Sequence, residues 1–168
     1  PRVEAERGAH GPDAPAHPGG GRLRMLAELA RHLPADALVV SYEMPPWLQK
    51  VLDAGARTVY DLGGHIGLSY YAYQRFVPFP NDLTWTVHDV PAVMESGRRE
   101  ALKLDPSGRL QFTERVDAAS GVDLLFTAGC VQYLEQTLGE RIAALDRKPT
   151  WVLVNLLPLH PREAYWTV

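Results

Sequence analysis

Residues 59–67 read VYDLGGHIG. An apolar run ends in an acid, Asp61, and breaks at once into Gly63, Gly64 and Gly67. Glycine permits positive φ and lets backbone N–H groups come close to a ligand. The start of a following helix adds a partial positive charge, and Asp61 sets a negative one beside it. That pairing suits a zwitterion, such as an amino-acid head group, better than a bare pyrophosphate. The plainer alternative is a tight strand–helix turn that holds no ligand. His65 stands among the glycines and is the residue this pattern does not explain.

Outward from this turn the chain alternates. TVYDL reads as a buried strand and GLSYYAYQRF as a helix; LTWTVHD is a strand, and PAVMESGRREALKL a helix with Pro91 in its first turn. RLQFT and VDLLFTAG are strands joined by ERVDAASG, which is too short for a full helix. VQYLEQTLGERIAALD carries Val131, Leu134, Leu138, Ile142 and Leu145 on one helical face, and TWVLVNLLP is a fifth strand. Such a rhythm implies parallel strands joined by right-handed crossovers, and near-continuous apolar strands imply a sheet covered on both faces. The expectation is a doubly wound α/β fold, with the core over residues 57–168.

Upstream, residues 1–21 hold nine Gly or Pro, a composition that cannot offset its ordering cost and reads as a flexible tail. Residues 22–56 read as a helical cap. RLRMLAELARHLP has apolar residues at helical spacing up to Pro34, and MPPWLQKVLDAG opens on prolines and closes at Gly55. The chain begins at Pro1 and ends on β-prone residues without a turn signal, so the core is expected to lack a C-terminal segment.

Bulk properties exclude several classes. The chain has 168 residues, which suits one domain core. A net charge of −3 gives no basic footprint for nucleic acid. Cys130 is the sole cysteine, so no internal disulfide forms, and a reducing cytoplasm is the simplest setting. With no CxxC pair and scattered histidines, no metal site is expected. No apolar run is long enough for a membrane helix.

In a doubly wound sheet, ligands bind beyond the carboxyl ends of the strands where strand order reverses. His88–Asp89, Thr113–Glu114, Thr127–Gly129 and Asn155–Leu157 join the glycine turn there. Asp89 suits ribose hydroxyls, with His88 beside it, and suits equally an N-cap for the Pro91 helix. Cys130 reads as packing rather than a nucleophile. Tyr133 reads as half core and half pocket wall. Trp47 and Tyr70, among other aromatics, are candidates to line an aromatic substrate cavity, whereas Tyr73 reads as core. Exposed aromatics also point to a homodimer.

These motifs resemble those of class I methyltransferases, which use S-adenosylmethionine. DLGGHIG resembles their D-x-G-x-G-x-G turn through Asp61, Gly63 and Gly67. VHDVPAV is similar to the F-D-L-P-H-V segment of small-molecule O-methyltransferases, and VDLLFTAGCVQYLEQ to their fourth-strand motif. The order D-x-G-G-x-x-G-x-x-Y-Y, V-x-x-P, V-x-Y-L-E resembles a family of bacterial methyltransferases of unassigned substrate. The resemblance runs from Val59 to Pro158. It implies a Rossmann-like sheet of order 3-2-1-4-5, normally completed by a C-terminal hairpin. It also implies S-adenosyl-L-methionine as cofactor and a small-molecule or glycan-type methyl acceptor.

By the same resemblance, Asp61, Gly63 and Gly67 would hold the methionine part of the cofactor; Gly64 and His65, the latter standing where the family has its middle glycine, are further cofactor-site candidates in the same turn. Asp89 and His88 would hold the ribose, and Val90 and Glu114 would lie near the adenine. Thr127, Ala128 and Gly129 would face the sulfonium and the acceptor; Tyr133, Trp47 and Tyr70 are substrate candidates from the reading of the aromatics alone. A sulfonium methyl is already activated, so the protein mainly positions the acceptor, and a base is needed only where the acceptor must lose a proton early. His160, His65 and His88 are the candidate bases.

Two other functions compete. A nicotinamide-dependent oxidoreductase would need glycine at position 62, where Leu62 stands, and Asp61 would repel its pyrophosphate. A non-catalytic domain that kept the fold is favoured by His65, whose side chain replaces the middle glycine.

Overall fold

The computed structural model describes residues 31–34, 37–41 and 43–156. Among the described residues six strands form one sheet: β1 (Leu38–Val40), β2 (Thr58–Leu62), β3 (Thr84–His88), β4 (Leu110–Phe112), β5 (Leu124–Ala128) and β6 (Trp151–Asn155). The spatial order is β1-β6-β5-β2-β3-β4, and every pairing is parallel. Counted from β2, the strands stand 3-2-1-4-5, the doubly wound order that the resemblance implies. The tail over 1–21, most of the 23–33 helix and His160 lie outside the described residues.

β1 is an addition to the expected five strands and falls inside the segment read as a helical cap. Leu38 pairs with Val152 and Val40 with Val154 at the β6 edge. Three residues are too few to show an alternation, so only the neighbouring β6 edge makes them a strand.

Four helices connect the strands: α1 (Met44–Asp53), α2 (Leu68–Tyr73), α3 (Pro91–Leu104) and α4 (Leu138–Ala144). Right-handed crossovers decide their sides. The chain runs toward the β4 edge through α1, α2 and α3, and these cover one face. It runs back through a 3-10 turn (Val116–Ala119) and α4, which cover the other. Two cores follow. Val59, Trp85, Val87, Leu124 and Phe126 meet Leu48, Val51 and Tyr70 on the first face. Tyr60, Leu62, Leu125, Val152 and Val154 meet Leu138 and Ile142 on the second. The direction reverses between β2 and β5, the switch point beyond whose strand ends doubly wound folds bind their ligands.

The helix expected from Val131 starts only at Leu138. Residues 131–133 form a 3-10 turn instead. Thr137 and Glu140 make a capping box: Thr137 Oγ1 accepts from the Glu140 N–H at 3.1 Å, and the Thr137 N–H donates to the Glu140 carboxylate at 2.8 Å. The T-x-x-E signature is visible in the sequence and outweighs the longer apolar period. No described helix is long and apolar enough to cross a membrane.

Candidate functional site at the carboxyl ends of β2, β3 and β5

Side chains alternate along β2, so Asp61 shares the first face with Val59. The register sets Val59 beside Trp85 and Asp61 beside Val87. Trp85 therefore reaches forward to Asp61, and its indole Nε1–H donates to Asp61 Oδ2 at 2.9 Å. Asp61 is completely buried, and its second oxygen, Oδ1, has no hydrogen-bond partner. Burial pushes the carboxyl up to about 7; the Trp85 bond works against this shift and the nearby Asp89 charge adds to it.

The turn lies directly over this carboxyl. A Cβ on Gly64 would stand 2.5 Å from Asp61 Oδ2, so only glycine fits. Gly63 has φ +75° and packs on Cys130, whose Cβ would be 2.3 Å from an added one. Gly67, at φ +93°, begins α2. His65 takes φ +57°, the left-handed region in which histidine is tolerated better than most residues. Its side chain is exposed. Its backbone N–H donates to Asp89 Oδ2 at 2.8 Å.

Asp89 thus latches the glycine turn. Its other oxygen accepts from the Val90 N–H at 2.7 Å; Val90, not Asp89, is the N-cap of α3, and no side chain caps that helix, so the capping role expected of Asp89 is not met. Each oxygen keeps a further lone pair for a ligand hydroxyl. His88 points elsewhere. Its Nδ1 lies 3.0 Å from the Thr113 carbonyl, an acceptor, so Nδ1 carries the proton. Its ring stacks on Tyr60 at 5.8 Å. Its contribution to the turn is a carbonyl, which accepts the Gly63 N–H at 2.8 Å. Val90 is exposed, and exposed Glu114 pairs with Arg98 at 4.0 Å.

Beyond β5, Ala128 and Gly129 are half-buried at the strand end. Thr127 departs from the expectation that it faces a ligand: it is fully buried on the second face, with Oγ1 3.1 Å from Cys130 Sγ. The Cys130 thiol donates to the Leu62 carbonyl at 3.1 Å, and burial pushes its pKa up. That is the behaviour of a packing cysteine. Tyr70 is also displaced from its expected role. It is buried in the first core, and its hydroxyl donates to Asp105 at 3.0 Å, so no acceptor reaches it. Trp47 packs half-buried against the same core beneath Lys50. Tyr73 is core, edge-on to Phe126, as expected. Tyr133 is exposed rather than half core and half pocket wall as expected, because the 3-10 turn over 131–133 replaces the helix that would have packed it.

Trp85 was missed in the sequence. Alternation places Trp85 and Val87 on one face, but which β2 residue they meet is a matter of register. Gly97 on α3 was missed likewise. A Cβ there would be 2.4 Å from Phe112 and 3.1 Å from the Ile66 backbone, so α3 lies tight against the turn. Among the described residues no cluster of His, Cys, Asp or Glu suits a metal.

The molecule is therefore a doubly wound α/β domain whose acid–glycine turn occupies the switch point. No protein-family model matches the chain, and no curated protein sequence does. Solved structures match it at low similarity. An O-methyltransferase family protein from Burkholderia thailandensis is 25% identical over 58% of this chain and 31% of its own, with a TM-score of 0.43. The mitomycin 7-O-methyltransferase is 21% identical over 67% and 36%, with a TM-score of 0.47. A SAM-dependent methyltransferase from Geobacter sulfurreducens, in complex with S-adenosyl-L-homocysteine, is 18% identical over 78% and 54%, with a TM-score of 0.45. The chain spans about a third to a half of the length of these proteins.

Proposed function

We propose that this chain binds S-adenosyl-L-methionine at the β2–β3–β5 strand ends and serves methyl transfer to a small-molecule acceptor. One observation carries the reading: two acids bracket the glycine turn at the switch point, Asp61 beneath it and Asp89 at its side. The residues present fit the group. The orphaned, buried Asp61 Oδ1 favours a cationic amine over a pyrophosphate, and Asp89 retains lone pairs for ribose hydroxyls.

In this reading the turn from Gly63 to Gly67 receives the amino-acid part, with His65 contributing its backbone. Asp89 receives the ribose, while Val90 and Glu114 flank the base. Ala128 and Gly129 border the reacting centre, and Tyr133 and Trp47 border the acceptor. His88 supports the turn through its carbonyl rather than through its ring. The cofactor supplies an activated methyl group when bound. The chain's part is to align an acceptor in line with it and to exclude water.

The test is calorimetric titration of the full chain with S-adenosylhomocysteine and, separately, with NADH. Saturable binding of the first alone supports the reading. Binding of NADH alone would give the site to a hydride carrier, and no binding at millimolar ligand would leave a non-catalytic domain.

A further inference from the structure

We infer that Trp85 is a positioning residue for the cofactor turn: its indole N–H holds the Asp61 carboxylate under Gly64 and keeps it available as a buried negative charge for a ligand's ammonium group. This inference rests on the proposed function, which supplies the ammonium-bearing ligand.

Three features of the structure support it. The Asp61 carboxyl has one donor, the Trp85 indole, and its other oxygen is sealed from solvent with none. Gly64 lies close against it: an added Cβ there would stand 2.5 Å from Oδ2 and 2.9 Å from Oδ1, so the turn's backbone sits directly on the carboxyl. Trp85 is fixed in turn by the first core: it stacks on Phe79 at 5.5 Å and meets Tyr70 and Phe126 at 6.0 and 5.7 Å. An indole locked on three sides cannot follow the carboxylate if it moves, so it sets where the charge sits.

The groups facing Asp61 sharpen the consequence. Asp89 faces it from the β3–α3 junction, the Tyr73 hydroxyl from α2 and the Cys130 thiol from the loop after β5. None is cationic, and among the described residues no ion pair reaches Asp61. Ionisation of Asp61 is thus left to the Trp85 bond and to whatever cation settles on the turn. With its carboxyl pushed up to about 7, Asp61 is part-protonated near neutrality. A cationic head group gains most from it at higher pH. Removing the indole N–H would move the carboxyl higher still.

The experiment measures S-adenosylhomocysteine affinity of the full chain across the neutral range, for wild type, Trp85→Phe and Asp61→Asn. In wild type, Kd is expected to weaken about tenfold from about pH 8 to about pH 6. In Trp85→Phe the same curve is displaced to higher pH. In Asp61→Asn it is flat. A structural role for Trp85 would weaken binding equally at every pH and leave the midpoint in place. Binding without pH dependence in wild type overturns the inference and leaves the proposed function standing. Absence of binding at every pH overturns the proposed function, and the inference with it.

Should Trp85→Phe not fold, the four tryptophan indole N–H signals of the wild type provide a second measure by NMR. One of them is expected to titrate near neutrality and to lose that titration in Asp61→Asn. Four stationary signals would overturn the inference.

Discussion

His65 and Asp61 show how the site is held residue by residue. The imidazole at position 65 is exposed, while its backbone, in the left-handed region, is tied to Asp89. His65→Gly is therefore expected to leave S-adenosylhomocysteine affinity within about twofold, because the contact that matters is a main-chain N–H. His65→Val puts a β-branched residue at positive φ and should cost roughly 1–2 kcal/mol in urea unfolding. Asp61 works against the fold. Its folded-state pKa of about 7 lies above the ordinary carboxyl value, so the folded protein holds that proton more tightly than the unfolded chain. Its contribution is most favourable in acid and is lost as pH rises from about 4 to about 7. Asp61→Asn should accordingly gain on the order of 1–3 kcal/mol near pH 8 and almost nothing near pH 4. Urea unfolding at the two pH values checks this.

At the scale of elements, the turn is shaped by what leans on it. Gly97 lets α3 approach Ile66 and Phe112, so the helix that follows Asp89 also buttresses the turn that Asp89 latches. Gly97→Ala should push these elements apart, costing roughly 1–3 kcal/mol of stability and weakening S-adenosylhomocysteine binding together. Thr137→Ala removes the capping box of α4 on the opposite face and should cost about 1 kcal/mol with binding unchanged. Circular dichroism melts beside calorimetry would separate the two cases. The capping box was written in the sequence as T-x-x-E, but the apolar period running from Val131 concealed it. No comparable signal marks Gly97, because helical glycine reads locally only as a weak point.

At the scale of the molecule, ligand binding and folding are linked through one sheet. S-adenosylhomocysteine at a hundredfold excess over its Kd is expected to raise unfolding free energy by about 2.7 kcal/mol, seen as a concentration-dependent rise in Tm, and NADH should give none. The sequence by itself determined the alternating elements, the doubly wound class and the acid–glycine turn, because hydrophobic period and turn chemistry are local properties. It placed Asp61, Gly63, Gly64, Gly67 and Asp89 at the strand ends for the same reason. Only the tertiary structure decided which groups face each other there. It joined β1 to the β6 edge, set Trp85 against Asp61, and tied His65 to Asp89. It also turned Thr127 and Tyr70 into the two cores. Each of these depends on strand register or on packing between distant segments, and a period-two pattern fixes a residue's face without naming its neighbour across the sheet.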